Sequence, residues 1–553
     1  MSVPVLPLRR KLLYAAVLSL VALALLLGGL ELGLRLVGYG HSPHFFRQAK
    51  SSEGETIWRE NRWAMAPFFP GSLIRRPQPI RLPERKAPGT YRIFILGSSA
   101  AMGDPEPSFS LARVLETMLC AAYPQQRFEV VNAAVTAINS HVVRDIAADC
   151  AKLEPDLFIV YEGNNEVIGP FGPTGVLAPF LRSERAIRTA IWLKRTRTAQ
   201  LFASLGSRNA STNWGGMELF LKQQITEDDP RLHDVRRNFS TNLDAIVHHS
   251  AASAGVSVLL CTVPTNQRTF APFMSDKDHG DNSRAEPIYQ RGQKELAAGN
   301  DGAARESLQF ALDLDTLRFR TDRETNLLLW QFTLGRQQQH VDAADALAKR
   351  SPHGISGDEF FYDHVHLNLR GTYEMALAIW PHLVAEMEGR SLLGNPLPAP
   401  LDYEAVSLRL GYNTHEQTMI ALEMVNRFSK PPFTGQSDSA ARSASWQRRA
   451  QNGQALLARP DATDALREIS RRALELSPDD WQLARNTGAM LVSRQLPAEA
   501  LPLLERAAAW IDDDVDTLVA LGWAHRALGH TTEAEAAFAK ARTLEPNYPN
   551  LPK

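Results

Sequence analysis

Hydrophobic and polar residues are arranged in four different ways along this chain. Leu12 to Leu30 carries no charged side chain and is about long enough to cross a ~30 Å hydrocarbon core as a helix. Residues 41–90 hold scattered prolines, among them Pro67, Pro77, Pro79, Pro83 and Pro88, with no sustained apolar period, which predicts a stiff linker. From Tyr91 the pattern changes to short apolar runs between helical stretches: Ile93–Leu96, Val130–Val131, Leu157–Val160 and Val256–Leu260. Runs of this kind, buried on both faces and alternating with helices, predict a parallel sheet in an α/β layered domain over residues 91–395. The remainder, 396–553, is rich in Ala, Leu, Glu and Arg with helical periodicity and predicts an all-helical region.

Arg9, Arg10 and Lys11 stand directly before the apolar stretch. The positive-inside rule then predicts a cytoplasmic N-terminus, with the bulk of the chain on the far side of the membrane. The stretch is longer than the apolar region of a signal peptide and is followed by no A-x-A site, so residues 1–40 read as a retained anchor with its helix at about 12–30. In the helical third, Gly488 and Gly522, Glu499 and Glu533, Ala500 and Ala534, Leu504 and Phe538, and Ala507 and Ala541 are each separated by 34 positions. That period resembles the tetratricopeptide repeat and predicts about three repeats between 448 and 546, against the plainer alternative of a helical bundle. Residues 285–345 are also helical and predict a single unit of the same kind inserted in the α/β domain.

Charge and cysteine content narrow the function classes. A net charge of -1 supplies no positive field for nucleic acid. Cys120, Cys150 and Cys261 are too few for a disulfide scaffold and lack zinc-site spacing, though they allow one bridge, Cys120 to Cys150, in an oxidising compartment. Between Phe180 and Thr198, Arg182, Arg185, Arg188, Lys194, Arg195 and Arg197 accompany Ile187, Ile191, Trp192 and Leu193, with Glu184 as the one acid. Such a helix can lie on an anionic membrane, close over a cleft as a lid, or be an ordinary solvated face.

In a parallel α/β sheet, ligands bind beyond the carboxyl ends of the strands, so the residues after each run matter most. The first run leads into Gly97-Ser98-Ser99, where a glycine turn can put the Ser99 hydroxyl at the start of a helix as a nucleophile. The third leads into Gly163-Asn164-Asn165-Glu166, where the Asn165 carboxamide can serve as an oxyanion donor. Each would pass for turn chemistry by itself. Near the end of the domain, Asp363 precedes His366 by three positions, an offset that lets a carboxylate orient an imidazole. His364 reads as structural; Asp363, His364 and His366 could alternatively ligate zinc, but no further cluster completes a site.

Gly97-x-Ser99, Asn132-Ala133-Ala134, Gly163-x-Asn165 and Asp363-x-x-His366, in that order, resemble the four blocks of the SGNH hydrolases, also called GDSL esterases. The resemblance covers roughly residues 91–390. It implies a three-layer, flavodoxin-like parallel sheet, Ser99 as nucleophile, His366 as general base and Asp363 as its orienting carboxylate. It also implies an oxyanion hole from Ser99, Ala134 and Asn165, supported by Gly97 and Gly163. Ser98, Ala134 and Glu166 depart from the family's aspartate, glycine and aspartate at these positions. The strings around Asn165 and His366 are similar to a bacterial subgroup that joins such a domain to a membrane anchor and tetratricopeptide repeats. The resemblance therefore implies a serine esterase or O-acyltransferase at a bacterial inner membrane, single-pass, with its bulk facing the periplasm or outside. Its expected substrate is an acyl ester of an envelope glycan or lipid. No metal or organic cofactor is implied. The alternative is a non-catalytic envelope assembly factor whose repeats bind a protein partner.

Overall fold

The computed structural model describes residues 7–552, apart from 52, 70, 176, 178, 207–216, 218, 219, 277–279, 281, 282, 335–338, 390–398, 547, 549 and 550. The chain opens with α1 (Leu8–Leu36), 29 residues long, none of them buried. It is the one described helix long and apolar enough to cross a membrane. Residues 41–90 are not a linker. They form an antiparallel sheet of β1 (Phe46–Lys50), β2 (Thr56–Glu60) and β3 (Arg81–Pro83), with Phe45, Met65, Phe68, Phe69 and Leu73 buried against the following domain. Their strands are too short, and their apolar residues too scattered between prolines, for any window to show a period.

The α/β domain is built on five parallel strands in the order β5-β4-β6-β7-β8. The strands are β4 (Thr90–Gly97), β5 (Arg127–Asn132), β6 (Leu157–Tyr161), β7 (Ser257–Cys261) and β8 (Gln339–Val341). Central β4 is buried along its whole length because alternate residues feed two cores. Ile93 and Ile95 face one, Phe94 and Leu96 the other. A single turn, α2 (Ser99–Met102), follows β4, then α3 (Leu111–Ala122), which joins the first core. α4 (Ser140–Cys150) crosses back over the second face to β6. A long excursion then carries α5 (Glu184–Lys194) and α6 (Arg197–Gly206) before α7 (Arg231–Asp244) returns to the second face. Cys150 lies in the second core and Cys120 on α3 over the first, and both are free thiols. The sheet stands between them, so the bridge the sequence allowed does not form.

The expected insertion at 285–345 is shorter than its pattern suggested. Its hairpin is α8 (Ala285–Ala297) and α9 (Asp301–Asp313), whereas α10 (Arg323–Thr333) packs on the second core and β8 pairs with β7 in the sheet. Three residues of strand were invisible inside a helical stretch. After α11 (Ala343–Arg350), α12 (Leu369–Gly389) lies on the first face beside α3.

The boundary at 395 lies outside the described residues. Helices α13 (Tyr403–Arg409), α14 (Thr414–Phe428) and α15 (Ser439–Leu457) contribute Val406, Met424, Phe428 and Trp446 to the first core, so it runs on into them without a break. Beyond them come α16 (Ala462–Leu476), α17 (Trp481–Ser493), α18 (Pro497–Trp510), α19 (Val515–Ala527) and α20 (Thr531–Leu544). In these hairpins a glycine of one helix receives a side chain sixteen positions later. A Cβ at Gly488 would lie 2.6 Å from Leu504, and one at Gly522 2.5 Å from Phe538. The α8–α9 hairpin repeats the contact, 2.8 Å between a Gly292 Cβ and Leu308. Arg59 with Asp513, and Arg113 with Asp480, tie the last helices back to the three-stranded sheet and α3.

Candidate active site

Beyond the carboxyl ends of β4 and β6 lies a cavity of about 430 Å³, lined by Ser99, Asn165, Asp363 and His366. Gly97 allows the strand to turn there: a Cβ at this position would sit 2.0 Å from the Tyr161 carbonyl oxygen of the next strand. Ser99 begins α2, whose single turn contributes little dipole, so the sequence argument from a helix N-terminus is weaker than it looked. Ser98 turns inward instead and donates to Asn164 Oδ1 at 3.0 Å, fastening the β4 turn to the β6 turn.

The Ser99 Oγ is 2.9 Å from His366 Nε2, and His366 Nδ1 is 2.7 Å from Asp363 Oδ2. Asp363 is fully buried, and its other oxygen accepts the N–H groups of Val365 and His366 at 3.0 Å each. The three-residue offset thus becomes a tight turn that aims the imidazole at the serine. Burial pushes Asp363 up, but His366, His364 and Arg427 together hold it well below the usual carboxylate range. Burial works against a charged His366, yet Asp363 and Asp104 outweigh it and leave its pKa raised. His364 is sealed among Phe270, Phe273, Phe319 and Phe433, and burial drives it down to about 3. Asp363, His364 and His366 do present ligand atoms within 4.8 Å of one another. Both ring nitrogens of His366 already face Asp363 and Ser99, so metal ligation and a proton relay compete for the same atoms.

Asn165 lines the cavity with its Oδ1 taking a 3.4 Å contact from Asn164 Nδ2, which leaves its own Nδ2 without a partner among the described residues. Ala134 is not placed as expected. It is fully buried, and its N–H points to Asn132 Oδ1 at 3.3 Å. Thr136 and Ala137 line the cavity instead, and Ala137 is held at φ 59°, a left-handed conformation that strains a residue with a Cβ. Ala137→Gly is therefore expected to leave stability unchanged or slightly raised. Ala134→Gly removes a packed methyl group and costs about 1 kcal/mol. Thermal melts of the two variants check this.

Glu166 supports the Asn165 loop from behind. Its two oxygens take the Ser140 N–H at 2.8 Å and the Ser140 hydroxyl at 2.7 Å, at the start of α4. Burial raises Glu166 from 4.5 to about 7, and burial with Glu166 as neighbour raises Glu162 well above its usual range. Between those two pH values the folded chain holds a proton that the unfolded chain releases. This contribution to stability is full below about pH 4.5 and is lost as pH rises through 7. Glu166→Gln keeps both contacts without the charge. Denaturant titrations should show the variant gaining on wild type by on the order of 2 kcal/mol between pH 5 and pH 8.

Two groups with no motif complete the site. Arg427, from α14, reaches Asp104 Oδ2 at 2.6 Å and Asp363 Oδ2 at 3.1 Å. Asp104 Oδ2 is in turn 3.5 Å from His366 Nε2. Burial pushes Asp104 up, but Arg427 and His366 hold it below the usual range. Only the helical pattern of α14 was visible in sequence, and nothing there marks Arg427 as facing a site 61 residues upstream. The cavity wall also holds Phe69, Phe220, Phe319, Arg75 and Lys430.

The sequence matches no protein-family model, and no protein of curated function matches it significantly. Among solved structures, an acetyl xylan esterase aligns at 12% identity over 53% of this chain and 99% of its own, with a TM-score of 0.28. A protein described as a platelet activating factor from Streptococcus pneumonia aligns at 12% identity over 54% of this chain and 86% of its own, with a TM-score of 0.25.

Proposed function

We propose that this chain is a membrane-anchored serine esterase or O-acyltransferase of the SGNH type. The observation that carries the reading is the continuous line from Ser99 Oγ through His366 to buried Asp363, opening on a cavity. His366 takes the Ser99 proton as Oγ attacks an ester carbonyl, and the imidazolium formed is stabilised by Asp363 and Asp104. The tetrahedral oxyanion is met by Asn165 Nδ2 and by backbone N–H groups, for which Ala137, lining the cavity where Ala134 does not, is the candidate on that side. The alcohol leaves with the proton from His366. Water or a second alcohol then opens the acyl-enzyme by the reverse path.

Arg427 acts as a positioning residue, holding two carboxylates around one imidazole. The sixteen-residue glycine contacts of Gly292, Gly488 and Gly522 support tetratricopeptide hairpins at 448–546 and in the insertion, with a surface suited to a protein partner. Helix α1, with Arg9, Arg10 and Lys11 at its start, supports a single-pass anchor in a bacterial inner membrane with the catalytic domain outside. An acylated envelope glycan or lipid is the substrate class this placement favours. The test is covalent labelling of the full-length protein by a fluorophosphonate probe, expected at Ser99. A folded wild type that does not label would refute the catalytic reading and turn attention to the site as a binding pocket.

A further inference from the structure

Helix α1 provides a depth gauge for the residues packed against its end. Twenty positions separate Lys11 from Glu31, which at 1.5 Å per residue is about 30 Å, the thickness of a hydrocarbon core. With Lys11 at one head-group layer, Glu31 stands at the other. There its carboxylate accepts the backbone N–H groups of Arg197 at 3.1 Å and Thr198 at 2.9 Å, and the Thr198 hydroxyl at 2.9 Å. The contact continues past the helix, with Gln200 exchanging two hydrogen bonds with the His41 backbone at 2.8 and 3.0 Å, and Tyr39 meeting Ser204 at 3.0 Å. Helix α6 is thereby fixed at the depth of the head groups.

At that depth the α5–α6 excursion turns large apolar side chains outward. Trp192 is 66% exposed, Leu193 51%, Phe202 59%, Leu205 63% and Phe180, just before α5, 77%. The opposite face of α5 is already used: Ile187 and Ile191 are fully buried, and Arg188 is paired with Asp145 of α4. The outward side chains therefore belong to a helix pair that is seated on the domain and whose Trp192, Leu193, Phe202 and Leu205 are exposed among the described residues. Arg185 and Lys194 flank them. Apolar residues between cations are the composition of a helix lying in a lipid interface.

We infer that α5 and α6 lie in the head-group layer of the bilayer that α1 spans, with Trp192, Leu193, Phe202 and Leu205 immersed in lipid. The inference rests on the anchor reading of α1 and is independent of the chemistry at Ser99. The excursion leaves the domain after the Asn165 loop and returns at Met217 and Phe220, which line the same cavity.

The experiment reconstitutes the full-length chain in vesicles of equal parts phosphatidylcholine and phosphatidylglycerol, with acyl chains brominated near the head group. Flotation reports the anchor, and quenching of tryptophan reports the docking. Wild type should lose more emission to brominated lipid than Trp192→Phe does, the difference matching one indole of the ten in the chain. Trp192 should also resist quenching by aqueous iodide. Phe202→Ser with Leu205→Ser, both on exposed positions, should reduce the bromine quenching while the protein still floats. Flotation with Trp192 open to iodide and untouched by bromine overturns the docking alone. Shielding from both quenchers assigns the face to a protein contact and overturns it as well. Loss of flotation removes the anchor reading together with the inference.

Discussion

Ser99→Ala is expected to lower turnover of an activated ester by about four to six orders of magnitude, with the fold intact. Among the described residues the Ser99 hydroxyl makes one hydrogen bond, to His366 Nε2, so its loss costs stability about 1 kcal/mol. The same hydroxyl is the atom that bonds the acyl carbon, and what remains without it is the contribution of the cavity and its donors. His366→Ala should fall to a similar level, because the serine is then a neutral alcohol with no acceptor for its proton. The double variant should be no worse than either single one, since the two side chains act as a unit. Asp363→Asn tests the next link. It removes the charge that stabilises imidazolium and sets the ring tautomer, and should cost about four orders of magnitude. Rates with a chromogenic ester and fluorophosphonate labelling, measured beside a thermal melt, check the series. Labelling retained in Ser99→Ala would place the nucleophile elsewhere.

Ser99, Asn165, Asp363 and His366 could be grouped from the sequence for two physical reasons. In a parallel sheet the carboxyl ends of neighbouring strands converge, so residues just after apolar runs meet in space however far apart they stand in the chain. Ser99 follows β4, Asn165 follows β6, and the offset of Asp363 and His366 is local enough to read directly. Ala137 was passed over because it stands outside the Asn132-Ala133-Ala134 block, and a left-handed alanine leaves no mark in a string of small residues. Arg427 and Asp104 were missed because their meeting depends on how α14 docks against the sheet domain, a tertiary contact with no periodicity of its own. The β1–β3 sheet and β8 fell to the same limit at the level of elements. Strands of three to five residues carry too few alternations to register, and it is the buried Phe68 and Phe69, not a pattern, that fasten the segment down.

Arg427→Met is expected to move the acid limb of kcat/KM toward higher pH by about one unit and to lower stability by about 3 kcal/mol. The general base works only when neutral, so activity rises with pH through the pKa of His366. Burial and Arg427 press that pKa down, while Asp363 and Asp104 lift it. Taking away the Arg427 cation leaves both carboxylates beside the ring less compensated, and the imidazolium keeps its proton to higher pH. Stability falls because Asp363 is fully buried and Asp104 sits beside it, both having lost a partner at 3.1 and 2.6 Å. Asp104→Asn should shift the limb the other way, to lower pH, since it removes an anion 3.5 Å from His366 Nε2 and leaves Arg427 to Asp363. A pH profile separates this role from a merely structural one. Were Arg427 only a brace between α14 and the sheet domain, the variant would lose stability while the limb stayed in place. Opposed shifts in the two variants, with the Arg427→Met, Asp104→Asn double variant returning toward wild type in both pH limb and stability, require that the pair sets the charge around the imidazole.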